Sequence, residues 1–349
     1  MSGRVIYMAP EVAAEAGGVR MLSRHVSLLC EAGIDAALWC PAPGYRYTWF
    51  DEVVPMLSGT DLELTADDLL VVPEPAVLPG RDPAPGARKV IFNQNHFYTL
   101  LTWPDPSGYP GWTPTPTVWT ASRESARVLT RLYPELPLHR VPYPIDTDLF
   151  RPGPRRTRSV AWMPRKRTQE STLLKRLLAT TPGAEDVELR ELTGLSEHEV
   201  AETLGRTSVF VALGAFEGFG LPVAEALSTG CLVVGYPAGG GLELFDAPGA
   251  WAVPDQRPLL LAEETVRVLD LPDTEGLRTA SRQWVRDRHT AETVGPALVE
   301  AVRAARARPG APARAVHFSA WMDEILAALG GLTGSADGRS PRSSRERSA

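Results

Sequence analysis

Residues 208–230 read SVFVALGAFEGFGLPVAEALSTG, and this stretch decides the fold that the sequence predicts. Its first five residues form a β-prone run, a loop with Gly218 and Gly220 follows, and a helical pattern starts at Pro222. Glycines let a backbone approach a ligand closely because they carry no Cβ. Proline suits the first turn of a helix, whose free N–H groups face anions. The stretch therefore predicts a strand, an anion-binding loop and a helix.

Two glutamates belong to the same stretch. Glu217 lies in the loop, and Glu225 lies one turn into the predicted helix. Two carboxylates can accept hydrogen bonds from vicinal hydroxyls, such as those of a sugar and of a ribose. The alternative is a glycine-rich turn whose glutamates are merely solvated.

Short apolar runs alternate with helical patterns on both sides of this stretch. The clearest helical spacing is that of Val19, Leu22, Val26 and Leu29, which ends at the capping glycine Gly33. Continuous apolar runs are typical of strands in a parallel sheet that is covered on both faces. We therefore predict an α/β protein with two doubly wound parallel-sheet domains and a ligand cleft at the carboxyl ends of their strands. The predicted strands lie at residues 5–8, 36–39, 69–72, 89–92, 117–120, 159–163, 187–190, 208–212 and 231–234.

Prolines and glycines crowd residues 141–157, so we predict the interdomain connection there. The first domain is predicted to span residues 1–150 and the second residues 151–312. An amphipathic helix within residues 313–330 is expected to pack back toward the first domain. Residues 331–349 are rich in Ser, Gly and Arg and are predicted to form a disordered tail.

The composition excludes several classes of protein. The chain has 349 residues and a formal net charge of −6, which argues against nucleic-acid binding through a basic face. Three scattered cysteines predict neither a disulfide framework nor a zinc site. No apolar run approaches the roughly 18 residues of a membrane helix, and the first residues lack the plan of a signal peptide. We therefore expect a cytoplasmic protein with no transmembrane segment; no pattern indicates its oligomeric state.

A run of cations opens the second predicted domain. Seven Lys and Arg residues and no acid lie between Arg151 and Arg167. A departing diphosphate needs fixed positive charge, which Arg can supply in a bidentate way and Lys as a point charge. Arg165 and Lys166 directly follow a predicted strand and are the candidates for this role, with Arg167 as the alternative to Lys166. The other arginines of the run are interpreted as a solvated linker.

The frame from Glu217 to Glu225, Glu-Gly-Phe-Gly-Leu-Pro-x-x-Glu, resembles the Glu-x7-Glu signature of the retaining GT-B glycosyltransferases of family 4. Residues 144–152 are similar, more weakly, to the family's interdomain segment, and Gly17-Gly18 to its first glycine-rich loop. The resemblance implies the GT-B architecture, in which two Rossmann-like domains face each other across a cleft. It also implies that the donor binds mainly to the second domain and the acceptor to the first.

The resemblance implies that Glu217 and the adjacent loop amides hold the donor sugar and diphosphate, and that Glu225 holds the ribose. The family usually has Gly-Arg followed several residues later by a lysine. Here Pro164 replaces the glycine before Arg165, and Glu170 stands five residues after that arginine. The predicted donor-binding residues are Gly17, Gly18, Arg165, Lys166, Glu217, Gly218, Phe219, Gly220, Leu221 and Glu225.

A histidine follows one of the first-domain strands, in the run Asn93-Gln-Asn-His96. The family often carries a histidine there that faces the donor sugar across the cleft, so the resemblance implies this role for His96. A structural histidine is the alternative. The predicted catalytic residues are His96, Arg165 and Glu217.

Two aromatic-rich loops in the first domain predict the acceptor site. One loop contains Trp49, and the other contains Tyr98 and Trp103. Aromatic faces stack against the CH faces of sugars or against apolar acceptors. Packing of a long Pro-rich loop is the alternative interpretation of these aromatic residues.

The resemblance and the motifs that carry it imply a retaining, metal-independent hexosyltransferase that moves a sugar from a nucleotide-diphosphate sugar to a hydroxyl-bearing acceptor, which is a saccharide, a glycoside or a small metabolite. The nucleotide sugar is a co-substrate, and no cofactor is expected. Asp146-x-Asp148 lies in the connection rather than at a strand end, so no metal site is predicted. A sugar-nucleotide epimerase of the same architecture is the alternative function. A dehydrogenase is disfavoured because no Gly-x-Gly-x-x-Gly follows the first strand.

Overall fold

The apolar runs of the first 140 residues form one parallel sheet. The computed structural model describes residues 3–11, 17–78, 80–101 and 107–333, with the backbone alone over 326–333. The strands up to residue 140 are β1 (Val5–Met8), β2 (Ala36–Trp39), β3 (Met56–Leu57), β4 (Glu63–Leu64), β5 (Leu69–Pro73), β6 (Arg88–Asn93), β7 (Thr117–Thr120) and β8 (Leu138–Arg140). Seven of them pair in the order β3-β2-β1-β5-β6-β7-β8, and each neighbouring pair is parallel.

Two helices cover this sheet early in the chain, α1 (Gly17–Glu31) and α2 (Arg123–Leu132). The predicted apolar face of α1 is buried, from Val19 to Leu29. Ser122 caps α2, because its side chain accepts a hydrogen bond from the N–H of Ser125. Two short 3-10 helices follow strand ends, at Glu74–Ala76 and His96–Tyr98.

The second parallel sheet has the order β10-β9-β11-β12-β13. Its strands are β9 (Ser159–Trp162), β10 (Glu188–Glu191), β11 (Val209–Leu213), β12 (Leu232–Tyr236) and β13 (Ala250–Ala252). The helices of this part are α3 (Thr168–Leu178), α4 (Glu197–Arg206), α5 (Leu221–Ser228), α6 (Pro258–Leu269) and α7 (Glu275–His289), with a 3-10 helix at Gly240–Asp246. Ser196 and Glu199 form a capping box at the start of α4.

The chain then returns to the first sheet. Helix α8 (Ala291–Arg306) packs on α1 and β6, strand β14 (Ala313–Arg314) pairs antiparallel with β4, and helix α9 (Phe318–Thr333) packs on residues 74–76. This return begins at residue 291, ahead of the boundary at 312 that the sequence predicts, because α8 turns its apolar stripe toward the first sheet. Helix α9 also extends three residues into the predicted tail, and residues 334–349 lie outside the described part of the chain.

The two sheets turn their carboxyl ends toward each other. Residues at or just beyond the ends of β1, β5, β6, β9 and β11 line one shared cavity. The prediction of two doubly wound parallel sheets with a cleft between them is confirmed. None of the helices in the described residues is long and apolar enough to cross a membrane.

Candidate active site

The cavity between the sheets has a volume of about 520 Å³. It brings together most of the predicted site residues, although they come from distant parts of the chain. His96 is not among the described residues that line it, and Trp103 lies outside the described residues. The predicted site residues that line the cavity are Gly17, Gly18, Trp49, Tyr98, Arg165, Lys166, Glu217, Gly218, Phe219, Gly220, Leu221 and Glu225.

The loop before α5 is shaped by its glycines. Gly220 has a φ of +95°, in the left-handed region, and immediately precedes the first residue of the helix. A Cβ on Gly218 would lie 1.8 Å from the carbonyl oxygen of Gln94, so a first-domain loop occupies the space that the sequence assigns to a ligand. The Phe219 side chain is buried in the core against Tyr143, so its backbone is what the loop offers to the cavity.

Lys166 and Glu217 form the charged centre of this loop. The Lys166 Nζ lies 2.7 Å from Oε1 of Glu217. Arg165 is exposed and forms no hydrogen bond or ion pair with the residues that the structure describes. The ammonium of Lys166, which Glu217 holds in place, and the free guanidinium of Arg165 therefore lie near the N-terminus of α5. The backbone N–H groups of that N-terminus also favour an anion.

Glu225 lies deeper in the cavity wall and pairs across the cleft. Its Oε1 accepts a hydrogen bond from Nη2 of Arg20 on α1, and Arg20 Nη1 lies 2.7 Å from Glu197 on α4. Burial raises the pKa of Glu225, and Arg20 only partly offsets this effect. Burial also acts to lower the pKa of Arg20, but the two glutamates outweigh it and raise that pKa. The result is an arginine held between two carboxylates, linking the first domain to the second.

His96 is placed behind the cavity-lining loop. Its Nδ1 lies 2.8 Å from Oγ of Ser125, and its ring packs on Phe97 at a centroid distance of 4.2 Å. Burial lowers the pKa of His96, while Glu124 acts in the opposite direction. The imidazole is thus held beside α2, and its contact with a donor sugar stays a prediction.

Tyr98 stands where the two halves of the cavity meet. Burial and the charges of Glu217 and Glu74 raise the pKa of Tyr98, while Arg165 acts in the opposite direction. The side chain of Tyr98 therefore lies within electrostatic reach of both domains' charged groups. Trp49 lines the cavity from the other aromatic loop.

Glu74 is a buried carboxyl that the sequence reasoning missed. It lies directly after β5, lines the cavity and is only 2% exposed. Its Oε2 accepts a hydrogen bond from the N–H of Gln94 at 3.1 Å. Burial raises the pKa of Glu74 to about 8 because no cation among the described residues compensates it. The signal that could have found it is its position at the carboxyl end of a predicted buried strand.

The described residues contain no group of three or more His, Cys, Asp or Glu side chains that could hold a metal ion. Asp146, from the Asp-x-Asp sequence, serves the local backbone instead. Its Oδ1 accepts hydrogen bonds from the N–H groups of Asp148 and Leu149, at 3.1 and 2.9 Å.

Known proteins resemble this chain in sequence and in fold. Residues 186–283, which contain both motif glutamates, match the family described as "Glycosyl transferases group 1". The chain is 23% identical over 276 residues to an alpha-1,6-glucosyltransferase from Actinobacillus pleuropneumoniae serotype 7 (strain AP76), a match that covers 70% of this chain and 77% of that protein.

Two solved structures illustrate the likeness in fold. A sucrose-phosphate synthase from Thermosynechococcus elongatus has a TM-score of 0.63 at 13% identity and covers 87% of this chain and 99% of its own. A variant of S. aureus TarM, in complex with fondaparinux, alpha-GlcNAc-glycerol and UDP, has a TM-score of 0.63 at 8% identity. The match covers 86% of this chain and 99% of that one. These structures confirm the predicted GT-B architecture, and the family match supports a glycosyltransferase built on it.

Proposed function

We propose that this chain is a metal-independent, retaining glycosyltransferase of family 4 that moves a sugar from a nucleotide-diphosphate sugar to a hydroxyl of an acceptor. The observation that carries the proposal is the 2.7 Å pair of Lys166 and Glu217, set beside the unpaired Arg165 at the N-terminus of α5. The match of residues 186–283 to a glycosyltransferase family supports it. The epimerase alternative is not favoured, because the curated relative is named as a transferase.

The donor fits the second-domain side of the cavity. The diphosphate would lie against the first turn of α5, with Arg165 and Lys166 on its other side. Glu217 would accept hydrogen bonds from hydroxyls of the donor sugar. Glu225, which lies in α5, would accept hydrogen bonds from the ribose hydroxyls, while Arg20 holds the Oε1 of this carboxylate in place.

The reaction needs three changes of bonding at the sugar. A bond forms between the acceptor oxygen and the anomeric carbon, while the bond from that carbon to the diphosphate oxygen breaks. The departing diphosphate oxygen takes the acceptor proton, so no protein nucleophile is required. Arg165 and Lys166 would stabilise the charge that develops on the diphosphate, which is the larger part of the catalysis expected from the protein. Attack and departure occur on the same face, which retains the anomeric configuration.

The acceptor fits the first-domain side of the cavity, beside Tyr98 and Trp49. The reacting oxygen and carbon must come within about 3–3.5 Å of each other. The cavity lining already joins both domains, because Gln94 touches the donor loop at Gly218. This arrangement would hold a donor and an acceptor together away from water.

Thermal-shift measurements with UDP, GDP, dTDP and ADP test donor binding first. A ligand at 100 times its Kd stabilises the folded state by about 2.7 kcal/mol, which a melting curve resolves. We expect one of the four to raise the Tm clearly above the others. If none of them raises it, the proposed function is wrong.

Transfer assays with variants then test the site. Arg165→Ala and Glu217→Ala are expected to lower kcat/KM by about 100-fold or more, since each removes a group acting on the transition state. Arg155→Ala is the matched control, because this exposed arginine belongs to the same run of cations but lies away from the cavity. Near-normal transfer by either site variant would contradict the assignment. Conversion of the sugar nucleotide without an acceptor would instead support an epimerase.

A further inference from the structure

The two halves of the cavity differ in chemistry. The second-domain half carries charged groups, among them Arg165, Lys166 and Glu217. The first-domain half is lined mostly by apolar side chains, which together are called the carbon wall. The apolar residues on which the argument rests are Met8, Pro73, Ala76, Phe318, Met322 and Ile325.

Helix α9 supplies three of these side chains, and specific contacts hold it in place. The Nε1 of Trp321 donates a hydrogen bond to the carbonyl oxygen of Ala76 at 3.0 Å. Arg81 lies over the Trp321 ring, 5.4 Å from its centroid, and pairs with Glu324 at 2.9 Å. Phe318 packs edge-to-face on Trp39 with the ring centroids 4.7 Å apart. The apolar wall is therefore a fixed part of the fold and reaches the cavity at a defined place.

Polar side chains near this wall are already committed to the protein. Nε2 of Gln94 donates to the carbonyl oxygen of Gly18 at 2.9 Å. Nδ2 of Asn95 donates to the carbonyl oxygen of Phe216 at 2.8 Å, and Oδ1 of Asn95 accepts from the N–H of Phe97 at 3.2 Å. The Gln94 amide thus connects two segments of the first domain, and the Asn95 amide connects the first domain to the loop before α5, so both are poorly placed to recognise further hydroxyl groups.

Polar groups also lie where the carbon wall meets the charged half. Among them are the carboxyl of Glu74, which accepts a hydrogen bond from the N–H of Gln94, and the hydroxyl of Tyr98, which interacts with the Asn95 side chain and has Glu74 and Glu217 among its electrostatic neighbours. Together they can position one acceptor hydroxyl next to the sugar-binding side. A saccharide acceptor would bring several more hydroxyls against carbon, and each buried hydroxyl without a partner is costly.

We propose that the acceptor is an alcohol or phenol with an apolar body, which lies between residues 74–76 and α9 and directs a single hydroxyl toward Tyr98 and Glu74. This inference rests on the proposed function and names the acceptor class for the same cavity. Burial of an aromatic or alicyclic body against the carbon wall supplies the binding free energy. Because the carbon wall and the charged half line one cavity, an acceptor bound against the wall has its hydroxyl next to the donor.

A comparison of acceptors tests this directly on the full-length protein. The donor is the nucleotide sugar whose nucleotide gives the largest thermal shift. The probes are benzyl alcohol and 2-naphthylmethanol against methyl α-glucopyranoside and maltose. We expect kcat/KM to be at least about tenfold higher for the two apolar alcohols, which is the usual size of one well-matched apolar contact. Equal or faster transfer to the saccharides would overturn the inference while leaving the proposed function intact.

Variants of α9 locate the binding site. Met322→Glu places a carboxylate in the carbon wall, Met322→Leu keeps the wall apolar, and Asp323→Asn changes the exposed face of the same helix. We expect Met322→Glu to raise KM for 2-naphthylmethanol about tenfold or more, with the nucleotide thermal shift unchanged. Asp323→Asn should stay close to the wild type, and Met322→Leu should raise KM much less than Met322→Glu does. An unchanged KM in Met322→Glu would also overturn the inference, whereas loss of every nucleotide shift in the wild type would refute the proposed function itself.

If Met322→Glu fails to fold, Met322→Gln replaces it as a neutral polar substitution of similar size. Calorimetric binding of 2-naphthylmethanol to the wild type, in the presence of the nucleoside diphosphate, gives a readout that does not depend on turnover. Binding that weakens in Met322→Gln but persists in Met322→Leu supports the assignment. Binding that is equal in both variants contradicts it.

Discussion

Glu74 should make the stability of this protein fall as the pH rises, and Glu74→Gln should remove that effect. The carboxyl is 2% exposed and has no ion-pair partner among the described residues. Ionisation in the folded state is therefore unfavourable, whereas the unfolded chain exposes the carboxyl to water. Glutamine keeps the size of the side chain and an oxygen that can accept the hydrogen bond from Gln94.

The size of the effect follows from the two pKa values. Burial raises the pKa of Glu74 to about 8, from 4.5 for an ordinary glutamate. Because the folded pKa is the higher one, the folded state binds more protons between these values, and stability is lost as the pH rises through this window. Between pH 5 and pH 7 the loss is about 2.5 kcal/mol, at about 1.4 kcal/mol for each pKa unit.

Urea unfolding of the wild type and of Glu74→Gln at pH 5, 6 and 7 measures this directly. The difference between the two proteins cancels other titrations, including those of His25 and His289, whose pKa values burial lowers. We expect the free energy of unfolding of the variant, relative to that of the wild type, to increase by about 2.5 kcal/mol from about pH 5 to pH 7. Glu135→Gln, at an exposed glutamate, is the control and should show no such gain. A difference that stays constant with pH would refute the reasoning.

Three further outcomes follow from the charged half of the cavity. Lys166→Ala removes the 2.7 Å partner of Glu217 and one of the two cations proposed to face the diphosphate, so kcat/KM should fall about 100-fold in a transfer assay, with partial recovery in Lys166→Arg. Arg20→Met removes the cation nearest to Glu197 and Glu225 and leaves them only the more distant Arg24, so it should lower the free energy of urea unfolding by about 3 kcal/mol; a loss below about 1 kcal/mol would contradict the bridging role of Arg20. Transfer should continue at full rate in EDTA, and a loss that Mg²⁺ or Mn²⁺ reverses would refute metal independence.

The sequence predicts the strands that carry a continuous apolar run, and it misses elements that lack one. β5 and β11 are buried along nearly their whole length, so burial on both faces leaves a clear pattern. β3 and β14 have two residues each, too few to show any period. Helix α8 was missed although its buried stripe is regular, because Pro296 lies inside it and proline normally signals a break.

The site divides in the same way between local and distant contacts. Glu217, Glu225 and the glycine loop form one continuous motif, so their proximity can be predicted from their spacing. Arg20 reaches Glu225 from 205 positions away in the sequence. No local pattern indicates such a pairing, because it depends on how two sheets face each other. The same reason applies to Glu74, whose burial depends on packing by α9 from the far end of the chain.

Gly218 has a structural role besides the ligand-binding role that the sequence predicts for it. A glycine in this loop is expected to admit a ligand, but here it admits the backbone of Gln94, which no side chain at position 218 would allow. The Nδ2 of the adjacent Asn95 donates a hydrogen bond to the carbonyl oxygen of Phe216, so the first-domain loop contacts the loop before α5 both at that glycine and two residues before it. Because the N–H of Gln94 also donates a hydrogen bond to Glu74, this carboxyl is linked to the loop before α5 through one short segment. The glycine motif therefore joins the two halves of the cavity, in addition to the diphosphate binding that we propose for it.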